Sequence, residues 1–300
     1  MRLMREGAQR ASARSADPEI QPVSAQPDLI APRRRRLTRL APLAAAFLGL
    51  AVLGIVPPST LALHRIHVVV VVGPVESSTA QYIADGRALA RQARSYGAIV
   101  TEIYSPYAIW SRVRPALQGA DLLIYLGHGN GYPSPYGGFR PSVQNGLGLN
   151  ASYGHGNSNV KYYGESILAK YVRMATHAVV ILNHLCYSAG NSEPGRANPT
   201  KSVAMQRIDN FGAGFLRTGA DVVFAEPRGD ASYILRDLFR TSKTMKQIFW
   251  DSPQAKHSYS FTFASRRTKG RTAISDPYTP GKYYRSVVGY LSLTATVWRR

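Results

Sequence analysis

The sequence predicts an α/β domain with a mainly parallel central sheet of about six strands, from residue 64 to residue 300. Short apolar runs rich in β-branched residues alternate along the chain with segments of helical spacing, an order typical of βαβ units. The first run, IHVVVVV at 66–72, carries no polar residue between its valines, as expected of a strand buried on both faces. A hydrophobic content of 45% with 18% charged residues fits a globular body.

The elements follow from the same patterns, taken in order. The apolar runs predict strands at 66–72, 98–104, 121–126, 178–182 and 221–225. Helical spacing predicts helices at 78–96, 108–118, 165–174, 202–217, 231–240 and 243–250. A Gly-, Tyr- and Asn-rich stretch at 130–160 predicts a long loop. In the basic segment 256–300, alternation at 259–263 and 286–298 predicts an edge hairpin or extra strands.

The amino-terminal region predicts a targeting segment. Residues 1–39 form a polar tail with nine arginines, expected to be disordered. After the arginine block 33–36, the run LAPLAAAFLGLAVLGIV at 40–56 carries no charge and ends at Pro57 and Pro58. It predicts a hydrophobic helix over 40–58 that serves either as a signal anchor in the membrane or as a cleaved signal peptide. Either reading places residues 64–300 outside the cytoplasm, membrane-anchored or secreted.

The charge balance points to anionic surfaces. The net charge is +20, and residues 64–300 hold 28 Lys/Arg against 13 acids, an excess of 15. Such an excess suits anionic lipid or an anionic surface polymer. The sequence has no Cys/His finger, RNP-type aromatic motif or dense basic helix, so no specific nucleic acid is expected. The single cysteine, Cys186, excludes an intrachain disulfide, and no cofactor or metal is expected.

Two chemically active side chains come after predicted strands. His128 comes directly after the strand at 121–126, and Cys186 comes after the strand at 178–182. Because parallel strands end at the same sheet edge, neighbouring strands would bring imidazole and thiol together. An imidazole can convert a thiol into the nucleophilic thiolate. The amides of Gly129 and Cys186 could then bind a developing oxyanion.

These residues resemble the caspase-like cysteine peptidases, which include metacaspases, legumains, gingipains and bacterial CHAT-type members. The blocks that carry the resemblance are LLIYLGHGNG at 122–131 and AVVILNHLCYSAG at 178–190, with Cys-x-Ser-x-Gly at 186–190. The resemblance covers about 64–250 and implies a caspase-like three-layer sandwich in which the third and fourth strands are adjacent. It also implies a Cys186 nucleophile, a His128 general base, an oxyanion hole from Gly129 and Cys186, and a peptide or protein substrate.

Further residues are candidates at this sheet edge. Glu226 and Asp230 come after the fifth strand and could face a basic substrate side chain. Asn130 comes after Gly129 in the same turn and is a further candidate substrate contact. His184 stands two residues before Cys186, where metacaspases carry an acid, and on an extended segment both would face the same side. His184 is therefore a candidate substrate contact as well.

Three alternatives stay open. Gly-His-Gly-Asn recurs at 154–157, but His155 is preceded by no strand and is not expected to act as a base. His184, Cys186 and the other histidines could form a zinc site, although the spacing matches no common structural one. The chain could also be a non-catalytic binding or scaffold protein of the same fold at the cell surface, with loop tyrosines as its contact platform.

Overall fold

The structure, a computed structural model, describes residues 64–300. The predicted tail at 1–39 and the predicted hydrophobic helix at 40–58 lie outside the described residues. Within residues 64–300, no helix is both long and apolar enough to cross a membrane.

An eight-stranded sheet forms the centre of the domain. Its order is β2-β1-β3-β6-β7-β10-β9-β8, and the first five of these run parallel while the last three are joined antiparallel. The strands are β1 (His67–Val72), β2 (Ile99–Tyr104), β3 (Leu122–Leu126), β6 (Val179–Asn183), β7 (Val222–Glu226), β8 (Phe261–Ala264), β9 (Thr272–Ser275) and β10 (Ser286–Gly289). A separate two-stranded sheet pairs β4 (Leu147–Asn150) with β5 (Val160–Tyr163).

Helices cover both faces of the large sheet. They are α1 (Thr79–Ser95), α2 (Trp110–Ala116), α3 (Glu165–Tyr171), α4 (Lys201–Leu216), α5 (Ser232–Arg240), α6 (Met245–Trp250) and α7 (Ala295–Trp298). Alternate residues of β1 enter two separate cores: Val69 packs in the core that contains α2, α3 and α4, and Val70 packs in the core that contains α1, α5, α6 and α7. The structure confirms the predicted α/β class with a mainly parallel sheet between helical layers.

Three details differ from the sequence prediction. The large sheet has eight strands rather than about six, because the basic carboxyl-terminal segment adds β8, β9 and β10. The interval 130–160 is not a plain loop, since it contains β4 and the start of β5. The alternating stretch 286–298 forms only β10 before turning into α7. Strands of four residues carry too few alternating positions to be recognised reliably in a sequence.

The register of the sheet positions the candidate site. β3 and β6 are adjacent and parallel, and Leu126 pairs with Asn183. The adjacency that the resemblance implied is therefore confirmed. His128 lies two residues after the end of β3 and Cys186 three residues after the end of β6, so both leave the sheet at the same edge.

Candidate active site

The turns that carry His128 and Cys186 are in direct backbone contact. A β-carbon built on Gly129 would lie 1.9 Å from the carbonyl oxygen of Cys186 and 3.0 Å from its amide nitrogen. Only glycine allows an approach this close. Among residues 64–300, neither the Gly129 amide nor the Cys186 amide donates a hydrogen bond to a described partner. Two N–H groups in these touching turns therefore have no partner among the described residues.

Tyr125, fully buried on β3, anchors the His128 turn to the small sheet. Its hydroxyl accepts a hydrogen bond from the Gly148 amide at 2.8 Å. It also lies within donor distance of the Gly148 carbonyl, at 2.9 Å, and of the His128 carbonyl, at 3.1 Å. The strand β4, which lies in the stretch predicted as loop, is thus linked to the His128 turn through the Tyr125 hydroxyl.

Replacing Tyr125 with phenylalanine is expected to lower the free energy of unfolding by about 1–3 kcal/mol, because the buried Gly148 amide loses its acceptor. Urea denaturation measures this change as a lower midpoint with an unchanged slope. Tyr163→Phe is the matched control, because the Tyr163 hydroxyl bonds to no described residue, and it is expected to stay within about 0.5 kcal/mol of the unmodified chain. Equal losses in the two variants would contradict the anchoring role.

Glu76 is a site residue that the sequence patterns did not indicate. Its Oε2 lies 3.2 Å from Nε2 of His128. Glu76 begins a short 3-10 turn after β1 and has a φ of 43°, which is uncommon for a residue other than glycine. Such backbone strain is frequent at functional sites. Glu76 therefore supplies a carboxylate next to the imidazole, for which the sequence showed no candidate.

The second Gly-His-Gly-Asn copy helps to hold Glu76 in place. The carbonyl of Asn157 accepts a hydrogen bond from the Glu76 amide at 3.0 Å, and its side-chain oxygen accepts one from Ser105 at 3.1 Å. The Gly156 carbonyl accepts from Asn150 at 3.0 Å. His155 itself is exposed. The second copy therefore contributes backbone support to the site, and its imidazole has no contact there among the described residues.

Cys186 is half-buried in a cavity of about 340 Å³ at the sheet edge. Burial raises the pKa of its thiol to about 11, with a further raising effect from the Glu193 carboxylate and an opposing effect from the Arg228 guanidinium. The thiol is thus protonated at neutral pH unless a base takes its proton. The cavity is lined by Tyr82, His184, Leu185, Cys186, Asn191, Ser192, Pro194, Pro227 and Arg228.

His184 lines the same cavity and has a carboxylate neighbour of its own. Its Nε2 lies 3.5 Å from Oδ2 of Asp85, and its ring lies 4.9 Å from that of Tyr82. Burial lowers the pKa of His184, against the raising effect of Asp85. Its φ of 63° is again in the left-handed region. His184 and Cys186 thus line one cavity, although the left-handed backbone at His184 departs from the extended segment on which the expectation relied.

Glu193 holds the loop after Cys186 in place. Its two carboxylate oxygens accept hydrogen bonds from the phenols of Tyr187, at 2.8 Å, and Tyr136, at 2.6 Å. Arg207 of α4 supports the same loop by donating to the carbonyl of Asn191 at 2.9 Å. The Glu193 carboxylate has no guanidinium or ammonium group within ion-pair distance among the described residues, so its charge acts on the site.

The other candidates from the sequence occupy different environments. Glu226 is fully buried, accepts a hydrogen bond from Tyr233 at 2.5 Å and pairs with Arg285 at 3.0 Å, and burial raises its pKa to about 7. Its carboxylate therefore does not face a substrate cleft, contrary to the expectation. Asp230 is exposed and lines an adjoining cavity with His184. Asn130 donates to the Val143 carbonyl at 3.0 Å and so braces its own loop.

Within residues 64–300, no group of three or more His, Cys, Asp or Glu side chains is placed to hold a metal ion.

Two distant structural likenesses are among those that comparison with known proteins gives. No protein family matches the chain, and no curated protein matches its sequence. The Arg-specific cysteine proteinase gingipain R aligns at 11% identity with a TM-score of 0.37, over 76% of this chain and 61% of the proteinase. A protein from Geobacter sulfurreducens aligns at 14% identity with a TM-score of 0.31, over 62% of this chain and 86% of its own. The chain spans less than two thirds of gingipain R, and with both TM-scores below 0.5 neither alignment assigns a family or an activity to it.

Proposed function

We propose that the chain is a cysteine endopeptidase with a caspase-like domain, in which Cys186 is the nucleophile and His128 the general base. The observation that carries this proposal is the backbone contact between Gly129 and Cys186 at the ends of adjacent parallel strands. That contact fixes a histidine turn and a cysteine turn side by side, and the Gly129 and Cys186 amides have no partner among the described residues. The block resemblance to caspase-like peptidases in the sequence supports the same assignment.

The chemistry would proceed by acyl transfer. One nitrogen of His128 takes the thiol proton, the thiolate sulfur bonds to the substrate carbonyl carbon, and the Gly129 and Cys186 amides bind the oxyanion. The imidazolium then gives the proton to the departing amine as the C–N bond breaks, and water hydrolyses the thioester. We propose that Nε2 of His128 carries a proton facing Glu76, which leaves Nδ1 to act as the base.

One observation favours a second candidate, a non-catalytic binding protein of the same fold. The pKa of the Cys186 thiol is raised to about 11, so only about one molecule in 10⁴ carries the thiolate at pH 7 without help from a base. A buried, protonated cysteine is also what a purely structural role would show. The two candidates differ in one property, namely whether a bound peptide carbonyl meets an activated thiol.

The pH dependence of thiol labelling separates the two candidates. The full chain is treated with a peptide that carries a thiol-directed acyloxymethyl ketone, and mass spectrometry locates the label. An endopeptidase is expected to be labelled at Cys186 at pH 7 much faster than free cysteine, with little further gain at alkaline pH. A thiol with a pKa of about 11 and no base would instead gain about tenfold in rate for each pH unit up to that value. The second profile would rule out the peptidase.

We further propose that the domain acts outside the cytoplasm, membrane-anchored through residues 40–56 or secreted after cleavage. The support is the arginine block at 33–36, with the uncharged apolar run after it. The excess of 15 positive charges over residues 64–300 would then favour contact with anionic lipid or an anionic surface polymer.

A further inference from the structure

The carboxylates of this basic domain are unevenly distributed. Of the 13 acids in residues 64–300, seven pair with lysine or arginine: Glu102, Glu165, Asp221, Glu226, Asp237, Asp251 and Asp276. Two more, Asp121 and Asp209, are buried and bonded to histidine, serine or backbone groups. The four that remain have no lysine or arginine partner among the described residues: Glu76, Asp85, Glu193 and Asp230.

All four unpaired carboxylates lie at the edge of the sheet that holds Cys186. Glu76 contacts His128, and Asp85 contacts His184. Asp230 lines the cavity that shares His184 with the cysteine cavity, and the charge of Glu193 raises the pKa of the Cys186 thiol. None of the four lines the cysteine cavity itself, but together they make the field at this edge of the sheet more negative, which favours ligands of the opposite sign.

A buried acceptor without a donor lies in the same place. Asn191 lines the cysteine cavity and is only 7% exposed, and its Oδ1 has no hydrogen-bond partner among the described residues. Its Nδ2 lies 3.5 Å from the carbonyl oxygens of Leu185 and of Ser192, and this orientation of the amide leaves Oδ1 as the atom without a partner. An unsatisfied buried acceptor costs free energy until a donor reaches it.

We infer that this cavity receives the side chain of a substrate lysine or arginine, with Asn191 as a specificity-determining acceptor and the unpaired carboxylates as its counter-charge. The inference rests on the proposed peptidase function and names its substrate class. An ammonium or guanidinium group brings donors and positive charge, which match both observations. A substrate carboxylate would place its oxygens, which only accept hydrogen bonds, next to Oδ1 of Asn191, which is also an acceptor, and its negative charge near the four carboxylates.

Among the described residues, Arg228 is the one lysine or arginine that lines the cysteine cavity, and it opposes this preference. Its guanidinium also lies 4.8 Å from the ring of Tyr284, and at Cys186 its effect on the thiol pKa is smaller than that of Glu193. A basic and an acidic substrate side chain in this cavity therefore give opposite expectations for an Arg228→Ala variant. If the cavity holds a basic side chain, the variant reacts faster with basic substrates. If Arg228 itself binds an acidic side chain, the variant loses its reaction with acidic ones.

The experiment compares four peptidyl acyloxymethyl ketones that differ only in the residue before the reactive group: lysine, arginine, norleucine and aspartate. We expect the full chain to label at least tenfold faster with lysine or arginine than with norleucine, and slowest with aspartate. Asn191→Leu and Glu193→Gln are each expected to lower the lysine-to-norleucine ratio threefold or more. Asp221→Asn removes the same charge at the opposite end of β7 and is expected to keep the ratio. A norleucine or aspartate probe that labels as fast as the lysine probe would overturn the inference.

A binding measurement makes the two failures distinguishable. The full chain with Cys186→Ala cannot react, so calorimetry with matched lysine and norleucine peptides tests the cavity alone. If the lysine peptide binds more tightly and the unmodified chain is not labelled, the peptidase proposal is refuted and the basic subsite is supported. If both peptides bind equally, the proposed basic subsite is refuted, whether or not Cys186 reacts.

Discussion

Alanine at Cys186 or at His128 is expected to lower peptide hydrolysis by about 10³-fold or more, and the double variant is expected to lose no more than the worse single variant. The reason is that the proposed pair would act as one unit: without the imidazole, the thiol would keep its proton at neutral pH, and without the thiol the imidazole would have nothing to activate. Initial rates on a fluorogenic lysine or arginine peptide, measured with the full chain and all three variants, give the comparison.

Two further histidines provide the controls for this series. His155→Ala removes the imidazole of the second Gly-His-Gly-Asn copy, which is exposed, and it is expected to keep the full rate. His184→Ala tests the rival base, because His184 lies in the cysteine cavity with Asp85 beside it. If His184→Ala removes the activity and His128→Ala preserves it, the base has been assigned to the wrong histidine. Fully additive losses in the double variant would mean that Cys186 and His128 do not act together.

The strand ends of the site could be predicted from the sequence because they lie in long apolar runs. The runs at 121–126 and 178–182 form β3 and β6, and the histidine and cysteine turns come directly after them. A buried parallel strand leaves a strong signal, since every position on both faces is apolar. Because parallel strands all end at one edge of the sheet, the turn after each strand is assigned to that edge from the sequence.

The residues that surround the site left no such signal. Glu76 contacts His128 although the two residues are far apart in the chain, and its backbone adopts a φ of 43° there. The importance of Asn191 depends on an unpaired oxygen in a cavity. Glu226 is not in its predicted position. The end of β7 suggested that its carboxylate faces a cleft, but in the structure it is buried in the core and pairs with Arg285, directly before β10. Contacts between distant loops depend on tertiary packing, which a periodic pattern does not encode.

The repeated Gly-His-Gly-Asn illustrates the difference between a motif and its setting. The two copies contribute to the same candidate site in different ways. The first presents His128 from the end of β3, and the second supplies the Asn157 carbonyl that holds Glu76. In the sequence, the strand before the first copy distinguishes its imidazole, whereas nothing there indicates the supporting role of the second copy.

Gly129→Ala is expected to lower peptidase activity by about 10²-fold and the free energy of unfolding by about 1–3 kcal/mol. The added carbon would lie 1.9 Å from the Cys186 carbonyl oxygen and 2.8 Å from its carbonyl carbon, so one of the two turns must move by more than about 1 Å. Both neighbours are backbone, which cannot rotate away as a flexible side chain would. The shift would change the position of the His128 turn relative to the Cys186 turn and displace the amides proposed to bind the oxyanion.

Gly138→Ala is the matched control, because a β-carbon there would meet nothing within 4 Å. It is expected to leave the rate unchanged and the free energy of unfolding within about 0.5 kcal/mol. Urea denaturation and initial rates on the same two variants separate the possible outcomes. A Gly129→Ala variant that folds stably, with its cysteine turn displaced and its activity lost, supports the dependence of catalysis on this contact. A Gly129→Ala variant with full activity would show that the contact between the two turns is not what aligns His128 with Cys186, and the proposed catalytic pair would lose its structural basis.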